Sequence, residues 1–296
     1  MLRCRRVGDA TRSKAGMAPG RAVAPAVVVV TPPRGWAALN LRDLWAHRDL
    51  VYFLAWRDVK VRYAQASIGI AWAVLQPLLM MAVFTVFLGR LAKVPSDGIP
   101  YPVFAFSGLL PWTYFANATG TATASLVSSS NMVSKVYFPR LAIPLAALLS
   151  WLPDLLVATG ILFMMMLAYG ITPAWTSVLL PVFALYALLA AASVSVWLSA
   201  LNVAYRDVRY AVPFLIQLWL FATPVVYPSS LVPERYRALF GLNPMAGVVE
   251  GFRWGLLGRG DPPWMLMVVS AAMALALFVG GLFYFRRVEH GFADVI

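Results

Sequence analysis

The sequence predicts an all-α integral membrane protein with six transmembrane helices, an N-terminal amphipathic interface helix and outer re-entrant helices between spans five and six. Of its 296 residues, 61% are apolar and only 12% are charged, against roughly 45–50% and about 25% in soluble domains. Six apolar stretches reach or approach the roughly 20 residues that a spanning helix needs. Trp and Tyr lie near several of their ends, as is typical of a membrane–water interface.

The basic N-terminal region does not indicate a nucleic-acid partner, although the formal net charge is +12. Twelve of the 24 Lys and Arg lie within residues 1–62, and the others mostly flank apolar stretches, where such charges act as topology signals and surface anchors. We expect residues 1–35 to form a basic, disordered tail without a signal peptide. A single cysteine, Cys4, and two distant histidines, His47 and His290, predict no metal site.

Residues 36–65 predict an amphipathic helix in the cytoplasmic membrane interface. Asn40 and Asp43 resemble a capping box at its start. An aromatic and apolar stripe follows at helical spacing. The stripe comprises Leu41, Leu44, Trp45, Tyr52, Ala55, Trp56, Val59 and Tyr63. We expect Asp58 to pair with Arg62 four residues later; the helix is either a plain anchor or also a partner contact.

The predicted transmembrane domain covers residues 66–290. Its spans are Ser67–Gly89, Tyr101–Leu126, Leu141–Tyr169, Trp175–Leu201, Ala211–Tyr227 and Trp264–Phe285. More of the Lys and Arg near the span ends lie on the side of the N-terminus than on the other side, so both termini are predicted to be cytoplasmic.

The second span is only weakly apolar. Ala116, Gly120, Ala124 and Ser128 recur every four residues, which gives one face small enough for close helix packing. This span is therefore either a helix buried among its neighbours or the polar wall of a passage.

Residues 229–263 predict a pair of re-entrant or interfacial helices on the outer side. Their apolar parts, Ala238–Leu242 and Met245–Leu257, are each too short to span a membrane. Glu250 and Arg253 are three residues apart and can pair across one helix turn. We interpret this pair as a candidate outer gate.

The sequence contains no pattern typical of an enzyme active site. None of the four lysines follows a glycine, so a phosphate-binding G-x-x-x-x-G-K-[ST] loop is absent and the chain is expected to bind no cofactor itself. Asp154, directly after Pro153, is the one acid predicted to lie within a span. An intramembrane carboxylate suggests a function; the alternative is a structural carboxyl group bonded to hydroxyls of a neighbouring helix.

The fifth span and the segment after the second span are the other candidate sites. Pro213 and Pro224 interrupt the fifth span, which carries Gln217, Trp219, Phe221 and Tyr227. Such a broken aromatic helix suits the wall of a sugar passage, although structural aromatics are the commoner case.

The segment Asn131–Arg140 is polar and aromatic, lies between two apolar runs and ends in Pro139-Arg140. It either connects two helices or docks a soluble partner.

Four groups of residues carry a resemblance to a known family. They are Trp56–Tyr63 with Gly69–Trp72 and Gln76-Pro77; Phe106–Trp112; Lys135–Arg140; and Asn202–Val208 with Asn243–Gly247. On these motifs, which occur in the family's order over about residues 35–285, the chain resembles the membrane subunit of ABC-2 type polysaccharide exporters. Such exporters move O-antigen, capsular or teichoic acid chains on lipid carriers.

The resemblance implies a homodimer in the bacterial cytoplasmic (inner) membrane, working with two copies of a P-loop ATPase that binds ATP and Mg²⁺. It implies that a coupling helix sits in a groove of the ATPase. The coupling candidates are Asn131, Lys135, Tyr137, Phe138, Pro139 and Arg140, with Arg57, Asp58 and Arg62 of the interface helix close by. It further implies that spans one and five line a channel for lipid-linked glycan. The channel candidates are Trp72, Gln76, Trp112, Trp219, Phe221 and Tyr227.

Two rival functions remain open from the residues. The first is an ABC-2 permease for a drug, lipid or peptide, which the spans themselves do not exclude. The second is an intramembrane glycosyl or acyl transferase. The scattered single acids argue against it, because such enzymes need clustered acids or a histidine near the membrane surface.

Overall fold

The computed structural model describes residues 41–64, 71–135, 138–233, 236, 239–258, 260–289 and 292. The predicted basic tail, Tyr137 and the side chain of Trp72 lie outside this description. Within it the regular structure is entirely helical, as predicted. The α-helices are α1 (Leu41–Ala46), α2 (Arg48–Ala64), α3 (Ala71–Phe84), α4 (Tyr101–Ser128), α5 (Ser130–Lys135), α6 (Ala142–Leu149), α7 (Leu152–Ala168), α8 (Leu180–Ala204), α9 (Val208–Ala222), α10 (Pro244–Leu257) and α11 (Trp264–Glu289).

Four helical segments of the described chain are long and apolar enough to cross a membrane. They are Val74–Leu91, Ala142–Ala168, Trp175–Ala204 and Trp264–Glu289, which correspond to the predicted spans one, three, four and six. The predicted span five corresponds to α9, whose 15 residues extend about 22 Å, less than the roughly 30 Å of a bilayer core. The predicted span two corresponds to α4, which is long enough but rich in Ser, Thr and Asn.

The central element of the bundle is α4, which packs against α3, α6, α7, α8 and α10. Of its 28 residues, 18 are buried, so it is a helix surrounded by its neighbours. In the C-terminal half of α4, Ala118 and Ala122 are fully buried, whereas Ala116, Gly120 and Ala124 are half-buried. The predicted face of small residues therefore does not form the closest helix–helix contacts of α4 within this chain.

The third span is not one continuous helix. A turn at Ser150 and Trp151 separates α6 from α7. Asp154 consequently lies in the first turn of α7, where the positive end of the helix dipole favours a carboxylate. The sequence placed this acid in mid-helix, and the break changes its local environment.

A second cluster of buried apolar residues lies where α2, α6 and the last turns of α11 meet. It contains Leu54, Phe138, Leu282, Phe285 and Phe292. The aromatic stripe of α1 and α2 is only partly used here: Ala55 is buried, while Trp45, Tyr52 and Trp56 are largely exposed. We call this end of the bundle the α2 end.

At the opposite end, α10 is a well-defined buried helix. Asn243 caps it by accepting a hydrogen bond from the Met245 amide at 3.0 Å, and Gly258 ends it in a left-handed conformation with φ 57°. This helix corresponds to the second of the two predicted outer stretches. Of the first stretch, Leu239 and Phe240 are helical, and Gly241 and Leu242 form a turn.

Candidate functional site

The segment predicted to contact an ATPase is partly exposed and partly anchored. Asn131 and Lys135 of α5 are exposed, whereas Val133, Phe138 and Pro139 are buried. Phe138 packs into the cluster at the α2 end. Of the predicted coupling side chains in this segment, Asn131 and Lys135 are thus accessible in the single chain, and Phe138 holds the segment in place.

Arg140 fixes the other end of this segment to the C-terminal helix. Its backbone amide donates to Glu289 Oε1 at 3.3 Å, and its guanidinium donates to the Glu289 carbonyl. Glu289 is itself held by Arg286 at 2.7 Å. A displacement of the segment would therefore act directly on α11.

The predicted Asp58–Arg62 pair was wrong. Asp58 instead accepts a hydrogen bond from its neighbour Arg57 at 2.9 Å. Arg62 points toward the third span, where its Nη1 contacts Asp154 Oδ2 at 2.7 Å and its Nη2 donates to Ser150 Oγ at 2.8 Å. Asp154, which binds Arg62 in place of Asp58, lies 92 residues away in sequence, so the local spacing of charges cannot reveal this pair.

Arg62, Tyr63, Ser150, Trp151 and Asp154 form one connected group, which we call the Arg62 cluster. The Arg62 guanidinium lies 3.5 Å from the centre of the Trp151 ring, a cation–π geometry. The Tyr63 hydroxyl donates to Asp154 Oδ1. The cluster thus attaches the C-terminal end of α2 to the turn that opens α7.

The environment of Tyr63 favours its protonated form. Burial first, and then the hydrogen bond to Asp154, raise the pKa of Tyr63 from 10.0 to about 12. Because this pKa is raised, the stabilising contribution of Tyr63 is complete below about pH 10 and is lost as the pH rises toward 12. The contact is therefore fully present at neutral pH.

The predicted intramembrane acid is a paired acid. Asp154 is bound by a cation and a tyrosine hydroxyl, and both belong to the preceding amphipathic helix. The structural alternative, a carboxyl group bonded to hydroxyls of a neighbouring helix, anticipated the tyrosine but not the arginine. The contacts of Asp154 with Arg62 and Tyr63 therefore position α2 against α7.

The predicted channel residues fall into two classes. Gln76 and Phe221 are exposed on α3 and α9. Trp112 is buried in the core and packs on Phe115, with ring centres 5.4 Å apart. The sequence treated all of them alike, because it could not tell which aromatic side chains the bundle itself would cover.

Trp219 and Tyr227 are held by hydrogen bonds within the chain. The Trp219 indole donates to Asn243 Oδ1 at 3.0 Å, and the Tyr227 hydroxyl donates to the Phe221 carbonyl at 3.0 Å. The first bond fixes the C-terminal end of α9 beside the start of α10, and the second holds the segment after α9 against that helix. Both side chains are half-buried and keep an accessible surface.

The predicted pair of Glu250 and Arg253 is confirmed, with 2.8 Å between Glu250 Oε1 and Arg253 Nη1. Arg253 is buried, and its Nη2 donates to the carbonyls of Pro224 at 3.1 Å and Val225 at 3.0 Å. Its guanidinium also lies 3.9 Å from the centre of the Phe104 ring. Arg253 thus joins α10, α4 and the segment after α9.

Gly108, in one of the sequence motifs, is required by this arrangement. A Cβ at this position would lie 2.5 Å from the Val225 carbonyl oxygen and 2.8 Å from Arg253 Nη2. This requirement could not be predicted from the sequence, because the two contacting residues are distant along the chain.

Gly108→Ala is expected to destabilise the protein by about 1–3 kcal/mol through overpacking. The measurement is thermal unfolding of the purified proteins in detergent, followed by the loss of the monodisperse peak in size-exclusion chromatography. Gly120→Ala is the matched control on the same helix, since a Cβ there meets no atom within 4 Å. Equal stability of Gly108→Ala and wild type would contradict the proposed close packing.

Comparison with known proteins identifies the family. The family model described as "ABC-2 type transporter" matches residues 49–257, which include α2, the Arg62 cluster, α5 and α10. The chain belongs to the ABC-2 type transporter family. The chain is 30% identical over 259 residues to the O-antigen export system permease protein RfbA of Myxococcus xanthus, covering 86% of this chain and 98% of that protein.

Other relatives of the ABC-2 family match over similar lengths. RfbA of Klebsiella pneumoniae is 28% identical over 249 residues, covering 84% of this chain and 95% of the relative. The polysialic acid transport protein KpsM of Escherichia coli is 22% identical over 239 residues, covering 79% and 91%. The resemblance predicted from the sequence motifs is therefore confirmed at the level of the family. This ABC-2 chain is a membrane transport subunit.

Proposed function

We propose that this chain is the membrane-spanning permease subunit of an ATP-driven exporter of polysaccharide. The observation that carries the proposal is the match over nearly the full length of an O-antigen export permease. Another relative, the polysialic acid transport protein KpsM, also moves a polysaccharide according to its name. We further propose that the cargo is a lipid-linked glycan that crosses the bacterial inner membrane, which the resemblance of the sequence motifs supports.

The proposed assembly is a homodimer with two copies of a P-loop ATPase. The chain itself contains no P-loop, so ATP and Mg²⁺ would bind the partner. The exposure of α3 and α9 supports a second copy. Only 6% of the residues in Val74–Leu91, the first span, are buried within the chain, and α9 buries only Val212 and Leu220. Six spans with both termini cytoplasmic complete the proposed topology.

The proposed mechanism transmits force through the α2 end. Closure of the ATPases on ATP moves α5, whose C-terminal connection is anchored by Phe138 and Arg140. The motion reaches α11 through Glu289, and the Arg62 cluster joins α2 to the third span. Spans one and five then separate across the dimer axis and open a passage whose walls include Gln76 and Phe221.

Co-purification from the native membrane tests this function. We expect a stoichiometric P-loop ATPase to accompany the tagged protein, and we expect lipid-linked glycan from the same cells to stimulate its ATPase activity. If a lipid or a drug stimulates the ATPase activity and glycan does not, the cargo is that compound, and the assignment of the chain to an ATP-driven exporter stands. Recovery of the protein alone, without ATPase activity, would contradict the proposal.

Lys135→Glu tests the coupling segment with an exposed side chain. We expect ATP hydrolysis to lose most of its stimulation by lipid-linked glycan, because charge reversal at an interface costs several kcal/mol when like charges face each other. The measurement is ATPase activity of the reconstituted complex. Lys93→Glu is the matched control, since Lys93 is also exposed but lies beyond the other end of the first span. If lipid-linked glycan stimulates the ATPase activity of the Lys135→Glu complex as much as that of the wild type, Lys135 of α5 does not take part in coupling.

Phe221→Ala tests the channel wall. Phe221 is 59% exposed in the single chain, so its loss should leave folding unchanged while export of glycan to the cell surface falls. The measurement is surface glycan by antibody labelling, normalised to the amount of assembled complex. Leu239→Ala, at a residue 61% exposed outside the fifth span, is the control. Normal surface glycan in Phe221→Ala would exclude this side chain from the passage.

A further inference from the structure

A cavity of about 720 Å³ lies at the end of the bundle opposite to α2. It is formed by the segment before α4, the segment after α9, α10 and the start of α11. Its volume is within the roughly 300–1,000 Å³ typical of small-molecule sites. The candidate outer-gate pair, Glu250 and Arg253, lines it, whereas none of the predicted coupling or channel residues does.

The lining combines carboxylates with aromatic rings. Asp97, Glu250 and Asp261 contribute three carboxylates, and Trp254 and Trp264 lie with their ring centres 6.3 Å apart. Carboxylates accept hydrogen bonds from hydroxyl donors, and such charge-assisted bonds are stronger than neutral ones. Indole rings offer flat apolar surfaces. A sugar ring presents both features, because its hydroxyl groups point outward and its C–H faces are apolar.

A buried donor in the lining has no partner within the described chain. Arg253 lines the cavity and is only 6% exposed, yet its Nε finds no hydrogen-bond partner among the described residues. Leaving a buried donor unpaired costs roughly 1–3 kcal/mol, and more for a charged group. The Nε atom itself is covered by the chain, so the ligand contacts of this cavity are assigned to the carboxylates and the indole rings.

The acidic edge of the cavity is held in place before any ligand arrives. Pro262 and Pro263 separate Asp261 from Trp264, and proline restricts both its own backbone and the residue before it. The Trp264 amide donates to the Pro262 carbonyl at 2.7 Å. Asp97, across the cavity, accepts a hydrogen bond from Ser230 at 3.1 Å. Preorganisation of this kind lowers the entropic cost of binding.

We propose that this cavity is a binding subsite for the exported glycan, formed by Asp97, Glu250, Asp261, Arg253, Trp254 and Trp264, and that it selects sugar residues without carboxylate groups. The inference rests on the proposed export function and places a glycan contact at the outer side. The selectivity follows from charge: the described lining contains three carboxylates and one guanidinium, so a polyanionic glycan meets net repulsion.

Binding of soluble glycan to the purified complex tests the inference. The probe is the glycan released by mild acid from the lipid carrier of the producing cells, radiolabelled and measured by equilibrium dialysis. We expect Trp264→Ala and Asp261→Asn each to weaken binding about tenfold, the effect of losing a stacking surface or a charge-assisted hydrogen bond. Trp175→Ala is the matched control, since Trp175 is 83% exposed and does not line the cavity.

The possible results distinguish a failure of the proposed subsite from a failure of the proposed export function. If lipid-linked glycan stimulates the ATPase but the two cavity variants bind released glycan like wild type, the subsite is wrong and the export function stands. If neither stimulation nor binding occurs, both fail. Soluble polysialic acid should not compete with the probe, and equal competition would overturn the charge selectivity. Loss of co-purifying phospholipid in the variants without any change in glycan binding would identify a lipid site and overturn the inference.

Discussion

Asp154→Ala is expected to destabilise the protein by about 2–4 kcal/mol, because it leaves the Arg62 guanidinium without its counter-ion inside the bundle. The range lies below that of a completely buried pair, since the Arg62 and Asp154 side chains remain 22% and 12% exposed. The measurement is the free energy of unfolding in mixed detergent, together with the ATPase activity of the reconstituted complex. We expect both to fall.

A double-mutant cycle isolates the pair. Arg62→Met combined with Asp154→Leu should recover a large part of the stability that Asp154→Leu alone loses, because the double variant contains no unpaired buried charge. Arg57→Met serves as the control on the same helix: its pair with Asp58 is more exposed, at 44% and 27%, and should contribute no more than about 1 kcal/mol. Additive effects of the two single variants would show that the ion pair has no coupling energy.

Arg253→Ala is expected to cost about 3–5 kcal/mol, the largest effect of any single substitution proposed for this chain. The variant loses three hydrogen bonds, which removes the cationic partner of Glu250 and the arginine donor of two carbonyl groups. The loss should appear as a lower thermal midpoint and as poor insertion yield.

Arg253→Lys distinguishes charge from geometry. A lysine can pair with Glu250, but its single ammonium group cannot also serve both carbonyls and stack over Phe104. We therefore expect intermediate stability. Arg90→Lys is the control, since Arg90 is exposed and its replacement should change stability by no more than about 0.5 kcal/mol. Wild-type stability in Arg253→Lys would mean that charge alone matters at this site.

The predictions that succeeded from sequence were local or compositional. Glu250 and Arg253 were paired correctly because a separation of three residues on a helix fixes their proximity. The helical membrane fold followed from the apolar content and from stretch length. The family followed from four motifs in order. None of these inferences required knowledge of which helices touch.

The predictions that failed depended on long-range packing. Asp58 has the right spacing for Arg62, but the arginine is closer to Asp154 and Ser150 of another helix. The break between α6 and α7 was missed because Ser150 and Trp151 lie in an otherwise apolar run. The channel role of Trp112 stays a prediction, but the sequence did not reveal that α4 is the central helix of the bundle and that its tryptophan is covered within the chain. Sequence periodicity identifies an apolar face but not its neighbour.

The Arg62 cluster also has a consequence for biosynthesis. A charged carboxylate near the middle of a span costs roughly 2.5–3.5 kcal/mol when it enters the bilayer unaccompanied. Arg62 precedes Asp154 by 92 residues, so it leaves the ribosome before the acidic segment does. Helix α2 is thus already synthesised when the acidic segment emerges, and it can supply the counter-ion as that segment is inserted, which makes the order of synthesis part of the folding pathway.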